Sequence, residues 1–572
     1  MIRMKKIFYI ALSVLFVLPF SGCSKFLSVY PLNDIVEENF WTSRDDVESV
    51  LMAAYAKLES SDCITRMSFW GEMRSDNVVE GSGSLPEDIL RVLTKDNLLE
   101  SNSYVTWSAF YDVINLANTV IAYASTVQEK DPNYREEQKL SHIAEAKALR
   151  ALSYFYLIRT FKDVPYVTKP SKDDTEDFRI PQTSFEDILN AEIASLEETV
   201  AVPGKEWANK KFSTTEAQVA RFTRAGIYTL LADLTLWNEE YDKCIEYCDR
   251  VIALKNEQYK ELVQKERSRC RVELYNGFPL VRSQIESNNV GNMYTSLFGE
   301  GYSFDAIFEL AFVRDQSVKN SFISSYYGSS DRNDLGYLAA NSNLYSKDKG
   351  NDVVFSGSGD CRYRESMIYN ASSSKYRIIK YVYTGRKYTL LSSSDNDLND
   401  FKRIDAVSPN WIIYRFSDVL LMQAEAMVCK AAKEGQPVRD NPMVTGAVTR
   451  VNAVYLRGNN YPNADVKDTI SANSFTEISQ VENAVMLERR REFLFEGKRW
   501  YDLVRMSRRN NSTDYLVSKV IPKYTENVNA IRIRLRDLDA IYFPISKDEL
   551  KINPNLVQNP VYKENEDVNK SK

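Results

Sequence analysis

The apolar positions along most of this chain recur at the three- and four-residue spacing of amphipathic helices. The clearest stripes lie at residues 107–121, 144–158, 220–234 and 241–251. Two more helices are predicted near 417–430 and 481–506. Long segments without this spacing separate the stripes, so the pattern predicts a mainly helical chain with sizeable insertions.

Two neighbouring stripes predict a helical hairpin. The pattern after the stripe at 220–234 breaks only at Asn238-Glu239-Glu240, directly before the stripe at 241–251, and so short a break favours two antiparallel helices. In the stripe at 144–158, alanines recur where another helix could approach closely. Paired helices with small residues at the crossing are typical of a tetratricopeptide-type unit, although here any repeat is degenerate.

The region from about 255 to 410 has a different pattern. Ser, Asn, Gly and Tyr dominate in segments such as 324–328 and 392–400, and helical periodicity fades. We therefore divide the chain into residues 1–22, 23–254, a loop-rich region at 255–410, 411–562 and a loose tail at 563–572. Within the fourth part, residues 540–545 are predicted to form a short extended segment.

Residues 1–22 have the layout of a secretory signal. Basic residues precede the apolar run 7–20, and a small-residue cleavage site ends just before Cys23. The run has about 14 residues, whereas a membrane span needs about 20, so a span is disfavoured. We expect cleavage before Cys23 and lipid on its thiol; an ordinary signal peptide with a chance cysteine is the alternative.

Charge and cysteine content narrow the function classes. The net charge of -6, without a basic stripe, argues against nucleic acid as a partner. The chain has 7 cysteines at irregular spacing, which need not form a disulfide framework, so the sequence leaves their disulfide state open. Cys244 and Cys248 stand one helical turn apart, as a metal or redox pair or, as we favour, as inward-packing residues.

Signals of catalysis are sparse. The single histidine, His142, has no second histidine near it, so two-histidine zinc motifs are absent from the sequence. No G-x-S-x-G elbow, P-loop or dinucleotide fingerprint is present, and we expect neither cofactor nor metal. Glu492 and Glu496 could be an acid/base pair, but ion pairing to neighbouring helices is the favoured interpretation.

A set of short motifs follows one order along nearly the whole chain. They are residues 26–31 (FLSVYP), 40–43 (FWTS), 53–55 (AAY), 72–77 (EMRSDN), 145–151 (EAKALRA), 161–165 (FKDVP), 414–426 (YRFSDVLLMQAEA), 488–493 (ERRREF), 496–503 (EGKRWYDL) and 558–560 (QNP). Each is weak alone, but the ordered set resembles the SusD/RagB family of outer-membrane nutrient-binding lipoproteins.

The resemblance implies a mainly α fold: a scaffold of four tetratricopeptide-like helical pairs with a loop-rich irregular region packed against it. It also implies a lipid-anchored, surface-exposed protein of the outer membrane that caps a SusC-like, TonB-dependent transporter. Members of the family usually bind glycans, and the RagB branch binds peptides. Within this picture the charged motifs define the scaffold and the loops hold the ligand.

Ligand-binding candidates are aromatic residues beside polar groups in irregular stretches. One group is Trp70, Arg74, Asp76 and Asn77, which combines a stacking face with hydrogen-bonding side chains. The other group consists of loop tyrosines that could form an aromatic platform: Tyr294, Tyr302, Tyr326, Tyr327 and Tyr337. Rings of this kind suit sugar or peptide ligands. The loops carry no family motif that would assign binding residues.

The sequence thus favours a non-catalytic lipoprotein that captures oligosaccharide and delivers it to a transporter. Three alternatives stay open. The chain could be a peptide-binding uptake protein, a surface glycoside hydrolase, or a helical scaffold without a small ligand.

Overall fold

The computed structural model describes residues 40–81, 85–171, 179–201, 219–266, 271–283, 292–312, 320–328, 336–346, 353–356, 360–384, 402–404, 409–459 and 469–563. Cys23, the signal segment and residues 564–572 of the tail lie outside these ranges. Within them, no helix combines the length and the apolar character that crossing a lipid bilayer requires.

Helices account for most of the regular structure. The first eight are α1 (Arg44–Leu58), α2 (Ser61–Glu72), α3 (Glu87–Lys95), α4 (Ser108–Lys130), α5 (Glu136–Phe161), α6 (Phe185–Val200), α7 (Arg224–Trp237) and α8 (Tyr241–Glu266). They are followed by α9 (Asn292–Tyr294), α10 (Cys361–Ser366), α11 (Phe416–Lys433), α12 (Pro442–Gly458), α13 (Ile478–Glu492), α14 (Arg499–Arg509), α15 (Asp514–Val520), α16 (Val528–Leu535) and α17 (Lys547–Ile552).

The helices form the predicted helical-pair scaffold. Short connections join α4 to α5, α7 to α8 and α11 to α12, and the two helices of each pair pack on one another. Each predicted stripe lies largely in the core: Phe110, Ala148 and Leu231, from three different stripes, are fully buried. Burying a large apolar side chain contributes about 2 kcal/mol, so these stripes hold the pairs together.

One predicted helix is in fact two. The segment predicted at 481–506 breaks between α13 and α14, where Phe495 and Gly497 adopt φ of 63° and 69°. Helix α2 occupies the break: a Cβ on Gly71 would overlap the carbonyl oxygen of Gly497. Two backbones meet here at a distance that only glycine permits, and the chain leaves the helical conformation at this contact.

The strands are short and cluster in the middle of the chain. They are β1 (Val78–Glu80), β2 (Val164–Pro165), β3 (Gln182–Thr183), β4 (Val272–Tyr275), β5 (Phe278–Val281), β6 (Ala306–Leu310), β7 (Leu338–Ala340), β8 (Tyr345–Ser346), β9 (Phe355–Ser356), β10 (Met367–Asn370), β11 (Lys375–Ile378), β12 (Tyr383–Thr384), β13 (Lys402–Arg403) and β14 (Trp411–Arg415). The largest sheet has the order β1-β7-β11-β10, with antiparallel neighbours.

The loop-rich region therefore carries more regular structure than its composition predicts. Its start also differs from the expected residue 255, because α8 continues to Glu266. Strand β1 comes from the N-terminal part and pairs with β7, so the irregular region is joined to the scaffold through a shared sheet. The predicted extended segment at 540–545 starts later than expected, because a 3-10 turn occupies Leu538–Ile541; Tyr542 after it is extended, with φ of -91° and ψ of 164°, and residues 543–545 form no regular element.

Candidate ligand-binding surface

The sequence predicts a stacking face at Trp70, but the structure places this residue in the core. Its ring is fully buried, lies 5.1 Å from the ring of Phe110, and donates its indole N–H to the carbonyl of Tyr104 at 2.7 Å. A tryptophan buried with its polar atom satisfied packs the interior and cannot receive a sugar ring. The expectation of an exposed ring is wrong because Trp70 lies within α2 rather than in a loop.

The polar neighbours of Trp70 are buried as well. Arg74 forms two hydrogen bonds to Asp96, at 2.7 and 3.1 Å, and also donates to two backbone carbonyls. Asp76 pairs with Arg499 at 2.8 Å and Arg490 at 3.0 Å. Burial alone would raise the pKa of Asp76, but Arg490 and Arg499 outweigh it and lower the pKa to about 2.

Asn77 completes this group. Its amide donates to Glu72 at 2.8 Å, and its amide oxygen accepts from Arg490 at 2.9 Å. Thus the predicted site Trp70, Arg74, Asp76 and Asn77 is a buried polar network that joins α2 to α13 and α14. Because its hydrogen-bonding groups already have protein partners and no access to solvent, they are not placed to bind sugar hydroxyls.

Three of the five candidate tyrosines are also buried. Tyr294 shares a 2.8 Å hydrogen bond with Ser366, and Tyr327 donates to the carbonyl of Phe495 at 2.8 Å. Tyr326 donates to the hydroxyl of Tyr104 at 2.9 Å. Composition alone misplaces these rings on the surface, because a Tyr-rich irregular segment can still fold inward when each hydroxyl finds a partner.

Tyr302 and Tyr337 are half-buried and remain candidates. Tyr302 adopts φ of 52°, and its backbone N–H donates to Glu309 at 3.1 Å. Tyr337 meets the ring of Tyr326 edge-on, with centroids 5.2 Å apart. Neither is stacked on the other, so these two rings do not form the common platform that the sequence suggests.

A different group of four half-buried tyrosines does form a contiguous aromatic surface. This tyrosine cluster consists of Tyr345, Tyr363, Tyr369 and Tyr376. The rings of Tyr345 and Tyr363 stack at 4.1 Å and 7°, Tyr376 lies 6.5 Å from Tyr345, and Tyr369 lies 5.2 Å from Tyr376. Stacked, partly exposed rings offer both flat apolar faces and hydroxyl groups at one place.

The backbone explains why these rings meet. Tyr369 and Tyr376 are direct cross-strand partners in the β10–β11 hairpin, so both side chains leave the same face of the sheet. Tyr363 lies on α10, where it hydrogen-bonds to Tyr376. Tyr345 follows the short turn at Ser342–Leu344, and its ring stacks on that of Tyr363.

Helix α10 is held firmly in place. Arg362, the residue before Tyr363, pairs with Asp360 at 2.7 Å, Glu488 at 2.6 Å and Glu492 at 3.0 Å, all in the interior. These contacts tie the aromatic surface to α13 of the scaffold. A binding surface on anchored elements loses less conformational entropy when a ligand binds, which favours affinity.

A local sequence pattern predicts that two of the four tyrosines in this cluster lie side by side, although composition alone does not. Residues 371–374 (ASSS) are turn formers between two short segments with a tyrosine at matching distances from the turn. A hairpin centred there places Tyr369 opposite Tyr376. The contacts to Tyr345 and Tyr363 come from more distant parts of the chain and have no comparable local signal.

The two carboxylates that the sequence offers for catalysis lie in a buried charge network. Glu492 contacts Arg362, Arg415 and Arg457, while Glu496 pairs with Lys380 at 2.6 Å and Arg415 at 2.8 Å. Burial opposes ionisation, but the surrounding cations hold the pKa of Glu492 well below its usual range and that of Glu496 at about 2. Neither group is suited to donate a proton as a general acid at neutral pH.

Helical three-residue spacing in the sequence would pair Glu488 with Arg491 and Glu496 with Arg499, and the structure forms one of these two ion pairs. Glu488 pairs with Arg491 at 3.3 Å along α13, as the spacing predicts. The other expected pair does not form: Glu496 precedes α14 and turns to Arg415, while Arg499 pairs with Asp76. Because the helix breaks between them, the three-residue spacing no longer places the two side chains on one face.

The remaining candidates for chemistry are structural. His142 is buried and contacts the hydroxyl of Tyr134 at 2.9 Å and Glu48 at 2.7 Å, which agrees with a hydrogen-bonding role. Cys244 and Cys248 are both fully buried, as the packing interpretation predicts. Among the described residues, no cluster of three His, Cys, Asp or Glu side chains could hold a metal ion.

Comparison with known proteins agrees with this fold over nearly the whole chain. The family model described as SusD family matches residues 304–562, and the model described as "Starch-binding associating with outer membrane" matches residues 25–236. SusD-like protein P38 of Formosa agariphila is 25% identical over 95% of this chain and 96% of its own length. SusD-like protein P2 of the same organism is 23% identical over 86% and 89%.

Solved structures share the fold. A SusD superfamily protein from Bacteroides vulgatus aligns with a TM-score of 0.63 at 17% identity, covering 91% of this chain and 100% of its own. Surface glycan-binding protein A from Bacteroides thetaiotaomicron, solved with laminarihexaose, aligns with a TM-score of 0.58 at 18% identity over 91% and 100%. Helical-pair scaffold, irregular region and both family matches lead to one conclusion: this chain belongs to the SusD/RagB family.

Proposed function

We propose that this protein is a non-catalytic, lipid-anchored glycan-binding protein of the outer membrane. In this proposal it captures oligosaccharide at the cell surface and passes it to a SusC-like, TonB-dependent transporter. The observation that carries the proposal is the tyrosine cluster, with its stacked, half-buried rings on anchored elements. The fold is also that of a solved protein that holds laminarihexaose.

The chemistry of the cluster favours a sugar. Pyranose rings have C–H faces that pack on aromatic rings, and their hydroxyls need both donors and acceptors. Beside the tyrosine hydroxyls, Asn343 is exposed and Asn370 is half-buried, so amide groups lie close to Tyr345 and Tyr369 in the chain. Each stacked ring contributes about 1 kcal/mol beyond burial, and two or three rings give useful affinity.

Anchoring through Cys23 follows from the cleavage motif. A single acyl chain binds a membrane only marginally, whereas the several chains of a bacterial lipoprotein hold it stably. The family description that names association with the outer membrane supports this location. The transporter partner is part of the proposal through family membership alone.

Isothermal titration calorimetry against panels of glycans and peptides tests the proposal. We expect one glycan class to bind, Tyr345→Ala to weaken binding about fivefold, and Tyr345→Ala with Tyr376→Ala to weaken it about thirtyfold. Tyr515→Ala is the matched control, because Tyr515 is also half-buried but lies on α15, outside the cluster.

Each contrary outcome points to a stated alternative. Binding of peptides but not glycans would favour the peptide-uptake function, and turnover of a bound glycan would favour a hydrolase. If no ligand binds and protein partners co-purify tightly, the chain is a scaffold. Glycan binding that both cluster variants leave unchanged would move the site to another surface, with Tyr302 and Tyr337 as the next residues to replace.

A further inference from the structure

Exposed apolar side chains are concentrated in one part of the described chain. Six large ones reach solvent: Leu90, Leu99, Leu274, Ile533, Ile552 and Val557. All except Leu274 belong to α3, to the loop that follows it, or to the C-terminal elements from α16 onward. The most exposed are Ile533, Ile552 and Val557, at 70%, 68% and 61%.

Residues 95–100 connect α3 to α16. The guanidinium of Arg534 donates to the carboxylate of Asp96 at 2.9 Å and to the carbonyl of Lys95 at 3.4 Å. Ile533 directly precedes Arg534, and Leu99 lies three residues after Asp96. These contacts bring the segment that carries Ile533 next to the segment that carries Leu99.

The same six residues also contact the C-terminal elements. The backbone N–H of Lys547, where α17 begins, donates to the carbonyl of Glu100 at 3.1 Å. The side-chain amide of Gln558 donates to the carboxylate of Glu100 at 2.8 Å. Val557 directly precedes Gln558, and Ile552 lies at the other end of α17, about 8 Å along the helix. The exposed apolar residues therefore surround one short stretch of chain.

Unpaired cations accompany these side chains. Asp537 and Asp548 are the exposed carboxylates between residues 528 and 552, and exposed cations are twice as numerous there. None of these cations forms an ion pair with another described residue: Arg532, Arg536, Lys547 and Lys551. Arg532 directly precedes Ile533, and Lys551 directly precedes Ile552. This local excess of positive charge contrasts with the net charge of -6 of the whole chain.

This composition favours a lipid surface over a protein partner. Protein interfaces are enriched in aromatic residues, Met and Arg, and depleted in Lys. Between residues 528 and 557 the exposed apolar residues are aliphatic, two of the four exposed cations are lysines, and the aromatic residues Tyr542 and Phe543 are buried. Anionic headgroups attract Lys and Arg, and apolar side chains beside them can enter the boundary between headgroups and acyl chains.

We infer that this basic apolar face docks on an anionic lipid surface. The face consists of the exposed apolar residues Ile533, Ile552 and Val557 and the four unpaired cations. Its apolar side chains enter the headgroup boundary, while the cations bind the lipid phosphates. The inference goes beyond the proposed function, because neither the tyrosine cluster nor lipid on Cys23 takes part.

Co-sedimentation with vesicles tests the inference on the chain from Ser24 to Lys572, which lacks the signal segment and Cys23. The vesicles contain phosphatidylcholine alone or with about one third phosphatidylglycerol. We expect the chain to bind the anionic vesicles at low ionic strength and the neutral ones about tenfold more weakly. Binding should be lost in about 0.5 M salt, because salt screens the attraction between the cations and the headgroups.

Two variants test the two components of the face. Arg532→Gln with Arg536→Gln should lower the partition coefficient about twentyfold, because each cation near an anionic surface contributes about fivefold. Ile533→Ser with Ile552→Ser should lower it about tenfold. The control, Arg439→Gln with Leu274→Ser, removes one exposed residue of each kind outside the face and should change it less than about twofold. All the replaced residues are exposed, so the denaturation midpoints should match that of the parent chain.

A fluorescent label measures insertion directly. Ile533→Cys, labelled with an environment-sensitive dye, should shift its emission to shorter wavelength on anionic vesicles. Leu274→Cys with the same dye should not shift. The parent chain, treated with the dye in parallel, corrects for the native cysteines.

The inference is overturned if the chain does not sediment with anionic vesicles, if the control weakens binding as much as the face variants do, or if the dye at residue 533 stays in water. A protein partner that the face variants lose, without vesicle binding by the parent chain, would assign the face to a protein interface instead. Calorimetry with glycans keeps the two proposals separate, because the face variants should bind oligosaccharide like the parent chain. A failed lipid test leaves the tyrosine cluster untouched, and a failed glycan test leaves the lipid result untouched.

Discussion

The buried charge network around Glu492 yields the sharpest prediction, because the same residue is a candidate catalytic acid in the sequence. Glu492 lies among Arg362, Arg415 and Arg457, and its exposure is 2%. Glu492→Gln keeps the shape of the side chain and removes its charge. If the residue holds three arginines in the interior, the substitution should destabilise the fold.

The structure sets the size of the effect. Each arginine keeps another acidic partner: Asp360 and Glu488 for Arg362, Glu496 for Arg415, and Asp305 for Arg457. The loss is therefore that of one buried ion-pair partner, about 3–5 kcal/mol, and not the collapse of the network. With a denaturant slope of about 5 kcal/mol/M, the guanidinium midpoint should fall by roughly 0.6–1 M.

Unfolding in guanidinium, followed by tryptophan fluorescence, measures this shift. The matched control is Glu87→Gln, the same chemical change at an exposed pair with Arg91 on α3. That control should cost roughly 0.3 kcal/mol. A Glu492→Gln midpoint within experimental error of the control would refute the structural role of the network.

The pH dependence of the free energy of unfolding independently tests whether Glu492 stabilises the fold in its ionised form. The pKa of Glu492 is depressed in the folded chain, so its stabilisation is fully present above the unfolded value of about 4.3 and is lost as pH falls toward the folded pKa. The difference between wild type and Glu492→Gln should stay constant from about pH 5 to pH 8 and shrink in acid. A difference that instead disappears near neutral pH would contradict the assignment.

Three further predictions test other parts of the structure. Burial raises the pKa of Glu309 to about 7, so the folded chain binds a proton there between about pH 4.5 and 7 and loses stability as the pH rises through this window. Over the same window, the free energy of unfolding of Glu309→Gln relative to wild type should rise by about 1 kcal/mol per pH unit, as measured from denaturation midpoints. Equal pH profiles for the two proteins would contradict this. Gly71→Ala should lower the free energy of unfolding by about 3 kcal/mol, measured by heat or denaturant, because its Cβ would meet the carbonyl of Gly497. Gly435→Ala, at a position with φ of 63° but open space around it, should lower it by about 1 kcal/mol. Similar losses in the two variants would argue against the close contact. Cys23→Ala should release the protein from membranes or block its processing, which membrane fractionation followed by blotting measures. An equally membrane-bound variant would exclude lipid anchoring through this residue.

The scaffold is predictable because helical periodicity is a local property. The stripe at 144–158 needs only its own spacing to indicate α5, and the short break at 238–240 is enough to indicate the α7–α8 hairpin. The break between α13 and α14 is not predictable in this way, because it depends on Gly71 from a distant helix meeting Gly497. Periodicity shows where a helix can form, and tertiary contacts decide where it must end.

At the ligand site predicted from the sequence, local sequence is an even poorer guide to the structure. Trp70, Arg74, Asp76 and Asn77 combine the residue types of a sugar site, yet each is buried with a protein partner. Residue type reports what a side chain can bond to, whereas its exposure depends on which distant segments cover it.

The tyrosine cluster illustrates what an accurate prediction would need. Its hairpin half, Tyr369 and Tyr376, follows from local turn chemistry, but Tyr363 joins it through the placement of α10 and Tyr345 through the turn at Ser342–Leu344. That placement depends on Arg362, which reaches Glu488 and Glu492 on α13, more than a hundred residues further along the chain. The buried charges and the aromatic surface are therefore physically linked, and a substitution that loosens Arg362 should also disorder the rings. Under the proposed function, such a substitution should weaken glycan binding although Arg362 does not touch the ligand.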